Sequence, residues 1–306
     1  MKLQEALREI RSLKKKVRFL TKEIESIKAA PAEDLSPVEK MLKMRGIDIF
    51  RKNPTARLFF PSDLSPFYEN RFYEMMKKYS FRLVLRDMIK YQEEFRIRDL
   101  THYCSSRVVQ GYCDRLHEMG AITRSGRAQY RTSVSPVYSF GPTLEWFIAE
   151  VFRREFASPA IYGVRVEKTP SGGDYDVIAS WNQRLVYVEV KSSPPKGVEL
   201  NEISSFFSRM DDLLPEVAIL FNDTQLRMKD KLVVMFEEEL EKRYGGSSRT
   251  LYPVERLYEE LFHIRNHIFI VNSKKDVVEN LRYCLKHYLR SKISLGAANP
   301  AASGVL

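Results

Sequence analysis

The chain of 306 residues is 44% hydrophobic and 29% charged, and its 50 Lys and Arg against 40 Asp and Glu give a formal net charge of +10. This composition excludes wholesale disorder and collagen-like structure, and the length allows one large domain or two modest ones. No apolar run approaches the ~18 residues of a membrane span, and the charged N-terminus does not resemble a signal peptide. We therefore expect a cytoplasmic protein with no membrane partner, whose positive charge favours a polyanion such as nucleic acid.

Residues 1–30 have the pattern of a coiled coil. β-branched residues predominate at the a positions and Leu recurs at the d positions, which favours a parallel homodimer. A helix docked on the rest of the chain is the alternative interpretation. The apolar residues alternate at spacings of three and four over four heptads: Leu3, Ala6, Ile10, Leu13, Val17, Leu20, Ile24 and Ile27.

Residues 31–80 contain several prolines that break any long element, so we interpret them as a helical linker region without a predicted function. Residues 81–136 alternate helices and short strands, and they end in a hairpin with Gly126 at its tip. The predicted helices cover Phe81–Tyr91, Arg98–Cys104 and Ser106–Met119, and a strand covers Phe95–Ile97.

This order of elements resembles a winged helix-turn-helix, in which the third helix enters the major groove of DNA and the hairpin lies near phosphates. A module used only for protein contacts is the alternative, because a fold does not fix a function. The resemblance implies nucleic-acid contacts from six residues of the third helix and the hairpin: Ser106, Arg107, Gln110, Arg124, Arg127 and Arg131.

The strongest functional signal lies between residues 141 and 193, where the pattern predicts a helix over 142–156 and strands over 161–167, 175–180 and 185–191. Alternation places Glu189 and Lys191 on one face of the last strand. A tight turn centred on residues 182–183 places Asp176 directly opposite Glu189. Asp174 lies beyond the end of this hairpin and is interpreted as a turn residue.

Two carboxylates that face each other across a strand pair repel and destabilise the pairing. A divalent cation reverses the sign of this interaction, and Mg²⁺ or Mn²⁺ prefers such hard oxygen ligands. A lysine two residues along the strand can then meet negative charge that develops on a phosphate. The pattern of Asp176, Glu189 and Lys191 therefore predicts a metal site that cleaves phosphodiester bonds.

Residues 172–193 read GGDYDVIASWNQRLVYVEVKSS, which resembles the PD-(D/E)XK core of the restriction-endonuclease-like nucleases. In that family an Asp on the second strand and an ExK tripeptide on the third form the site, and these match Asp176, Glu189 and Lys191. A Glu on the preceding helix often completes the set. Glu145 occupies that place here, and Glu150 is the alternative.

The resemblance also implies a role for each of these residues. Asp176, Glu189 and the Val190 carbonyl would bind Mg²⁺ (or Mn²⁺), Glu145 would assist through water, and Lys191 would serve the nucleophile. Tyr175 stands where the family has a proline, a variation that leaves the ligands unaffected.

These inferences combine into an α/β fold with a restriction-endonuclease-like mixed sheet between helices. The nuclease domain would cover residues 137–292, and residues 293–306 would form a disordered tail. We expect a homodimeric, metal-dependent DNA endonuclease targeted by the winged helix. A DNA-binding regulator or scaffold with an inactive nuclease fold remains an alternative, as does a structure-specific or RNA-directed nuclease.

Overall fold

One large mixed sheet forms the centre of the protein. The computed structural model describes residues 13–14, 16–17, 35–126, 128–134, 137–167 and 169–297. The strands are β1 (Ile49–Arg51), β2 (Phe95–Arg96), β3 (Ile122–Gly126), β4 (Gln129–Thr132), β5 (Ala160–Val166), β6 (Asp174–Trp181), β7 (Arg184–Lys191), β8 (Val217–Asn222), β9 (Glu255–Tyr258), β10 (Leu261–Ile264) and β11 (Ile268–Asn272). Within the described residues the large sheet has eight strands in the order β1-β5-β6-β7-β8-β11-β10-β9. Strands β7, β8 and β11 run parallel, and the other neighbours pair antiparallel.

Helices cover both faces of this sheet, which confirms the predicted α/β class with a mixed sheet between helices. One apolar cluster joins Phe147 to Val186 and Val188 of β7, and the other joins Phe206 to Tyr187. Successive side chains of β7 therefore pack alternately into two cores, one on each face of the sheet. The helices are α1 (Pro37–Met44), α2 (Pro66–Met76), α3 (Tyr79–Lys90), α4 (Ser106–Glu118), α5 (Gly141–Glu155), α6 (Leu200–Leu213), α7 (Val234–Tyr244), α8 (Ser248–Leu251) and α9 (Val277–Ala297).

A small sheet of β2, β4 and β3 lies beside helices α3 and α4. Its core is continuous with the core of the large sheet, since Val109 and Phe147 belong to one apolar cluster. The helix expected over Arg98–Cys104 is instead a short 3₁₀ turn, Ile97–Leu100. Thr101 follows this turn and its hydroxyl donates to the Arg98 carbonyl at 2.9 Å, a local bond that competes with helix propagation.

Part of the expected linker region belongs to the large sheet. Helix α1 buries Val38 and Leu42 in the same core as Tyr187. Strand β1 pairs antiparallel with β5, and the register shifts between Ile49 and Arg51. The expected helical linker region therefore contains two helices, α1 and α2, and one strand, β1, that belongs to the large sheet. A three-residue strand with an irregular register leaves no alternation in the sequence from which it could be predicted.

Both ends of the chain lie partly outside the described residues. The chain divides into two compact units, Met1–Ser36 and Pro37–Leu306. The expected coiled coil of residues 1–30 lies outside the described residues, except that residues 13, 14, 16 and 17 are helical. Helix α9 extends to Ala297, so the first part of the expected disordered tail is helical, and residues 298–306 lie outside the described part. None of the helices in the described ranges is long and apolar enough to cross a bilayer.

Candidate active site

The hairpin of β6 and β7 has the register expected from the sequence. Val177 pairs with Val188, and Trp181 pairs with Arg184 across the two-residue turn. Both turn residues have positive φ angles, 47° at Asn182 and 58° at Gln183, as a tight hairpin of this length requires. The backbone pairing stops at Val177 and Val188, one position before Asp176 and Glu189.

Asp176 replaces that missing backbone partner with its side chain. Its Oδ2 accepts a hydrogen bond of 2.7 Å from the Val190 amide, so the carboxylate is fixed beside the strand that carries Glu189 and Lys191. Burial, followed by the charges of Glu189 and Glu145, raises the pKa of Asp176 well above its usual value. The ionised carboxylate is therefore disfavoured unless a cation compensates it.

Glu189 is almost completely buried, and its carboxylate is surrounded by donors. Nη1 of Arg209 on helix α6 lies 2.7 Å from Oε1 and 2.8 Å from Oε2. The ammonium group of Lys191 lies 3.0 Å from Oε1, and the Tyr187 hydroxyl donates to Oε2. Glu189 is therefore held in a single position by two cations and a hydroxyl.

Lys191 lies between two carboxylates. Its Nζ is 2.9 Å from Oε1 of Glu202, which projects from the first turn of helix α6. Burial favours the neutral amine, but the charge of Glu189 and the contact with Glu202 outweigh it and raise the pKa of Lys191. The side chain is thus a permanent cation near neutral pH, and it is suited to stabilise negative charge and not to act as a base.

Glu145 reaches the same cluster from the first part of helix α5. Its Oε2 lies close to Gly163 of β5, 3.6 Å from where a Cβ at this position would be. Gly163 has a φ of +54°, and the pairing of β5 with β6 is interrupted here, opposite Asp176. Burial, then the charges of Asp174 and Glu189, raise the pKa of Glu145 to about 7. The structure therefore brings together the four predicted catalytic residues: Glu145, Asp176, Glu189 and Lys191.

The raised pKa of Glu145 predicts a pH-dependent cost in stability. Between its unfolded value of 4.5 and about 7 the folded chain holds the extra proton, so the free energy of unfolding falls as pH rises through this window. In EDTA, Glu145→Gln should unfold at higher urea than wild type at pH 8, with a gain on the order of 2 kcal/mol, and at the same urea at about pH 4, where the carboxyl is protonated in both states. Exposed Glu93→Gln is the control and should match wild type at both pH values. Equal midpoints for Glu145→Gln and wild type at pH 8 would contradict the assignment.

Two other acidic residues named in the sequence analysis form ion pairs with arginines. Glu150, the alternative to Glu145, instead forms ion pairs with Arg153 and Arg154 of its own helix. Asp174, interpreted as a turn residue, is the first residue of β6 and pairs with Arg165. Asp174 lies beyond the paired part of the β6 and β7 hairpin, as expected. It is still part of a strand, because Arg165 of β5 pairs with it on the other side.

The oxygen donors of this cluster suit a hard cation. Asp176, Glu189 and the Val190 carbonyl provide two carboxylates and a main-chain oxygen, a set that Mg²⁺ accepts when water and substrate complete its octahedron. Among the described residues no three His, Cys, Asp or Glu side chains form a metal-binding group. A cation here would thus depend on non-protein ligands for much of its coordination.

The charge balance of the cluster also favours a cation. The cluster contains two cationic groups, the ammonium group of Lys191 and the guanidinium group of Arg209. Two negative charges therefore remain uncompensated when its four carboxylates are all ionised, which are those of Glu145, Asp176, Glu189 and Glu202. Burial is the main cause of the raised pKa values of Asp176 and Glu145, and the charges of neighbouring carboxylates add to it. One divalent cation would neutralise the two uncompensated charges, so the residues present fit Mg²⁺ or Mn²⁺.

Comparisons with known proteins give only distant similarities. No protein-family model matches the chain, and no curated protein matches it significantly. Among solved structures, the chain is similar to protein VC1899 from Vibrio cholerae, with 15% identity and a TM-score of 0.42 over 66% of this chain and 55% of that one. It is also similar to Can2 from Sulfobacillus thermosulfidooxidans, solved in complex with cyclic tetra-adenylate, with 13% identity and a TM-score of 0.44 over 82% of this chain and 60% of that one. This chain therefore spans less than two thirds of the length of either structure.

Three further residues of the site were missed by sequence reasoning. Tyr187, Glu202 and Arg209 all contact Glu189 or Lys191. Glu202 and Arg209 are seven residues apart on helix α6, a spacing of about two turns that places them on one side of the helix. Two charged residues at this spacing beside buried Ile203 and Phe206 were the available signal.

The residues predicted to contact nucleic acid lie on and around the small sheet. Ser106 and Arg107 are exposed at the start of helix α4, and Arg131 is exposed on β4. Arg127 lies outside the described residues. The exposed positions of Ser106, Arg107 and Arg131 leave these three side chains available to a ligand.

The other two predicted contacts take part in a network on the protein. Gln110 donates to Asp114 at 2.8 Å and to the Tyr130 hydroxyl at 3.1 Å. Arg124 lies 3.4 Å from the same Asp114 carboxylate and over the Tyr130 ring. Helix α4 is thus joined to the hairpin of β3 and β4 by polar contacts at its surface.

Proposed function

We propose that this chain is a nuclease of the PD-(D/E)XK type that hydrolyses phosphodiester bonds with Mg²⁺ or Mn²⁺, and that DNA is its substrate. The observation that carries the proposal is the hydrogen bond from the Val190 amide to Asp176, which places this carboxylate beside Glu189 and Lys191. Glu145 reaches the same group from helix α5. A buried acidic cluster can hold the cation of metal-assisted phosphodiester hydrolysis, and a lysine beside it can stabilise the negative charge that develops on the phosphate.

Each residue of the cluster has a distinct role in this proposal. Asp176, Glu189 and the Val190 carbonyl would hold the cation, which supplies a Lewis acid to the scissile phosphate when it is bound. Lys191 remains protonated, so its ammonium group stabilises the negative charge that develops on the phosphate oxygens. Glu145 has a pKa of about 7, so it is placed to accept a proton from the attacking water near neutral pH.

The small sheet and its helices would act as a winged helix over residues 81–136 and bring the substrate to the site. Helix α4 would enter the major groove with Ser106 and Arg107 at its exposed start, and Arg131 would lie near a phosphate. The formal charge of +10 supports a polyanionic ligand.

A cleavage assay tests the proposal. Labelled single-stranded, duplex and branched DNA and RNA are incubated with the protein in Mg²⁺, Mn²⁺ or EDTA. We expect DNA to be cut only with a divalent cation, and Asp176→Asn to abolish cutting, whereas exposed Asp63→Asn should cut like wild type. Cutting that persists in EDTA or in Asp176→Asn would contradict the proposed site.

The same assay separates the rival functions. An absence of cutting, together with tight binding whose affinity falls steeply with salt, would support a DNA-binding regulator with an inactive nuclease fold. Cutting of RNA alone would keep the site and change the substrate.

We also propose that residues 1–30 form a parallel coiled coil that makes the protein a homodimer. Leu13 of the expected seam is helical and exposed, as a seam residue of one chain would be. Deletion of residues 1–30 should halve the molar mass in light scattering while the thermal unfolding of the remaining chain persists. A mass unchanged from that of the full-length dimer, apart from the deleted residues, would contradict this role.

A further inference from the structure

The carboxylate of Glu189 has no place left for another ligand. A carboxylate has about four lone-pair directions, two on each oxygen. Arg209 and Lys191 contact Oε1, and Arg209 and the Tyr187 hydroxyl contact Oε2. A cation can therefore bind Glu189 only if one of these three donors withdraws.

Tyr187 is the donor least able to withdraw. Its side chain is fully buried in the apolar cluster beneath the sheet, and its ring stacks on Phe206 with 5.9 Å between centroids. The hydroxyl is also neutral, so a nearby cation does not repel it as it repels a charged donor. Tyr187 therefore remains in place.

Lys191 is held by a second partner. Glu202 lies 2.9 Å from its Nζ, so the ammonium group would keep one ion pair if Glu189 turned to a metal. Arg209 has no such second carboxylate: among the described residues, its hydrogen bonds and ion pair all join it to Glu189. Arg209 is therefore the donor that a cation displaces most readily.

Open space beside Arg209 allows this movement. Its Nη2 would lie 3.6 Å from a Cβ built on Gly173, and a Cβ on Gly172 would meet nothing within 4 Å. Both glycines have positive φ angles, so this turn carries no side chain that would close the space. The Arg209 side chain also retains about a fifth of its exposure, so it borders solvent.

We propose that Arg209 is the counter-ion that occupies Glu189 in the metal-free protein, and that it moves to a phosphate of the substrate when a divalent cation takes Glu189. The planar guanidinium group matches a phosphate as well as it matches a carboxylate. This role rests on the proposed nuclease function. It predicts that Arg209 weakens metal binding and yet is required for cleavage.

Calorimetric titration of the full-length protein with Mn²⁺, without nucleic acid, tests this role. Arg209→Gln removes the positive charge that lies beside the Glu189 carboxylate. The affinity of this variant for Mn²⁺ should therefore be at least about tenfold higher than that of wild type. Its cleavage of DNA at saturating Mn²⁺ should fall about a hundredfold. An arginine that only positions Glu189 would give weaker metal binding together with slower cleavage.

Arg243→Gln is the matched control. Arg243 on helix α7 has the same exposure as Arg209 to within a few per cent and also pairs with a buried glutamate, Glu239, outside the active cluster. We expect its Mn²⁺ affinity to equal that of wild type. Arg209→Lys keeps the charge but loses the guanidinium contacts with both oxygens of Glu189. It should bind Mn²⁺ more tightly than wild type and less tightly than Arg209→Gln, so its comparison with wild type tests the role even if Arg209→Gln unfolds.

The outcomes distinguish this role from the proposed function itself. Suppose that wild type binds Mn²⁺ and Asp176→Asn does not, but neither Arg209 variant binds Mn²⁺ more tightly than wild type. The role of Arg209 is then wrong and the metal site stands. If wild type binds no Mn²⁺, or if Asp176→Asn binds it equally well, the metal site is wrong and the role of Arg209 falls with it.

Discussion

Lys191→Ala is expected to lower the rate of DNA cleavage by about 10² to 10³ without unfolding the protein. The ammonium group lies 3.0 Å from Glu189 and 2.9 Å from Glu202, at the end of the central strand β7, and its raised pKa keeps it charged. In the proposed reaction this charge stabilises the phosphate as it becomes more negative. In the metal-free variant Glu189 keeps Arg209 and Tyr187 as partners, so the fold around it should not change.

Single-turnover rates at saturating Mg²⁺ measure the effect on the chemical step. Lys275→Ala is a suitable control, because Lys275 is exposed and pairs with Glu259 outside the site. Lys275→Ala should cut at the wild-type rate. A Lys191→Ala variant that also cuts at the wild-type rate would remove Lys191 from the mechanism.

Asp223→Ala is expected to lower the free energy of unfolding by about 3–5 kcal/mol. Asp223 follows strand β8 and is fully buried, and it accepts from Nε of Arg82 at 3.0 Å and from Arg86 at 2.6 Å. Burial alone would favour the neutral acid, but the two guanidinium groups outweigh it and hold the pKa of Asp223 below its usual value. Removal of the carboxylate leaves Arg82, itself fully buried, without its counter-ion.

Urea unfolding with a double-mutant cycle measures this pair. Arg82→Met combined with Asp223→Ala removes both buried charges, so the double variant should be more stable than Asp223→Ala alone. Glu118→Ala breaks an exposed ion pair with Arg71 and should cost at most about 1 kcal/mol. A loss from Asp223→Ala no larger than that from Glu118→Ala would show that the buried pair is not a major source of stability.

This ion pair also connects the small sheet's helices to the candidate active site. Arg82 and Arg86 lie on helix α3, whereas the Asp223 amide donates to the Lys191 carbonyl at 2.8 Å. A loss of the pair should therefore loosen the end of strand β7 as well as the packing of α3. Asp223→Ala is expected to impair cleavage even below its unfolding temperature.

The sequence determined the hairpin and the residues that it carries. A two-residue turn at Asn182 and Gln183 fixes the register of β6 and β7, and the valines of β7 share one face of the strand while Glu189 and Lys191 share the other. Asp176, Glu189 and Lys191 followed from that register. The helix with Glu145 was likewise predictable, since its apolar residues repeat with helical periodicity.

Only the tertiary structure decided which other groups meet the hairpin. Arg209 and Glu202 come from a helix that begins after the hairpin, and their contact with Glu189 and Lys191 depends on how α6 packs beneath the sheet. Asp223 meets Arg82 across 141 residues of chain. Local patterns are set by backbone periodicity and turn geometry, whereas long-range ion pairs depend on packing angles and distances between elements, which no local spacing encodes.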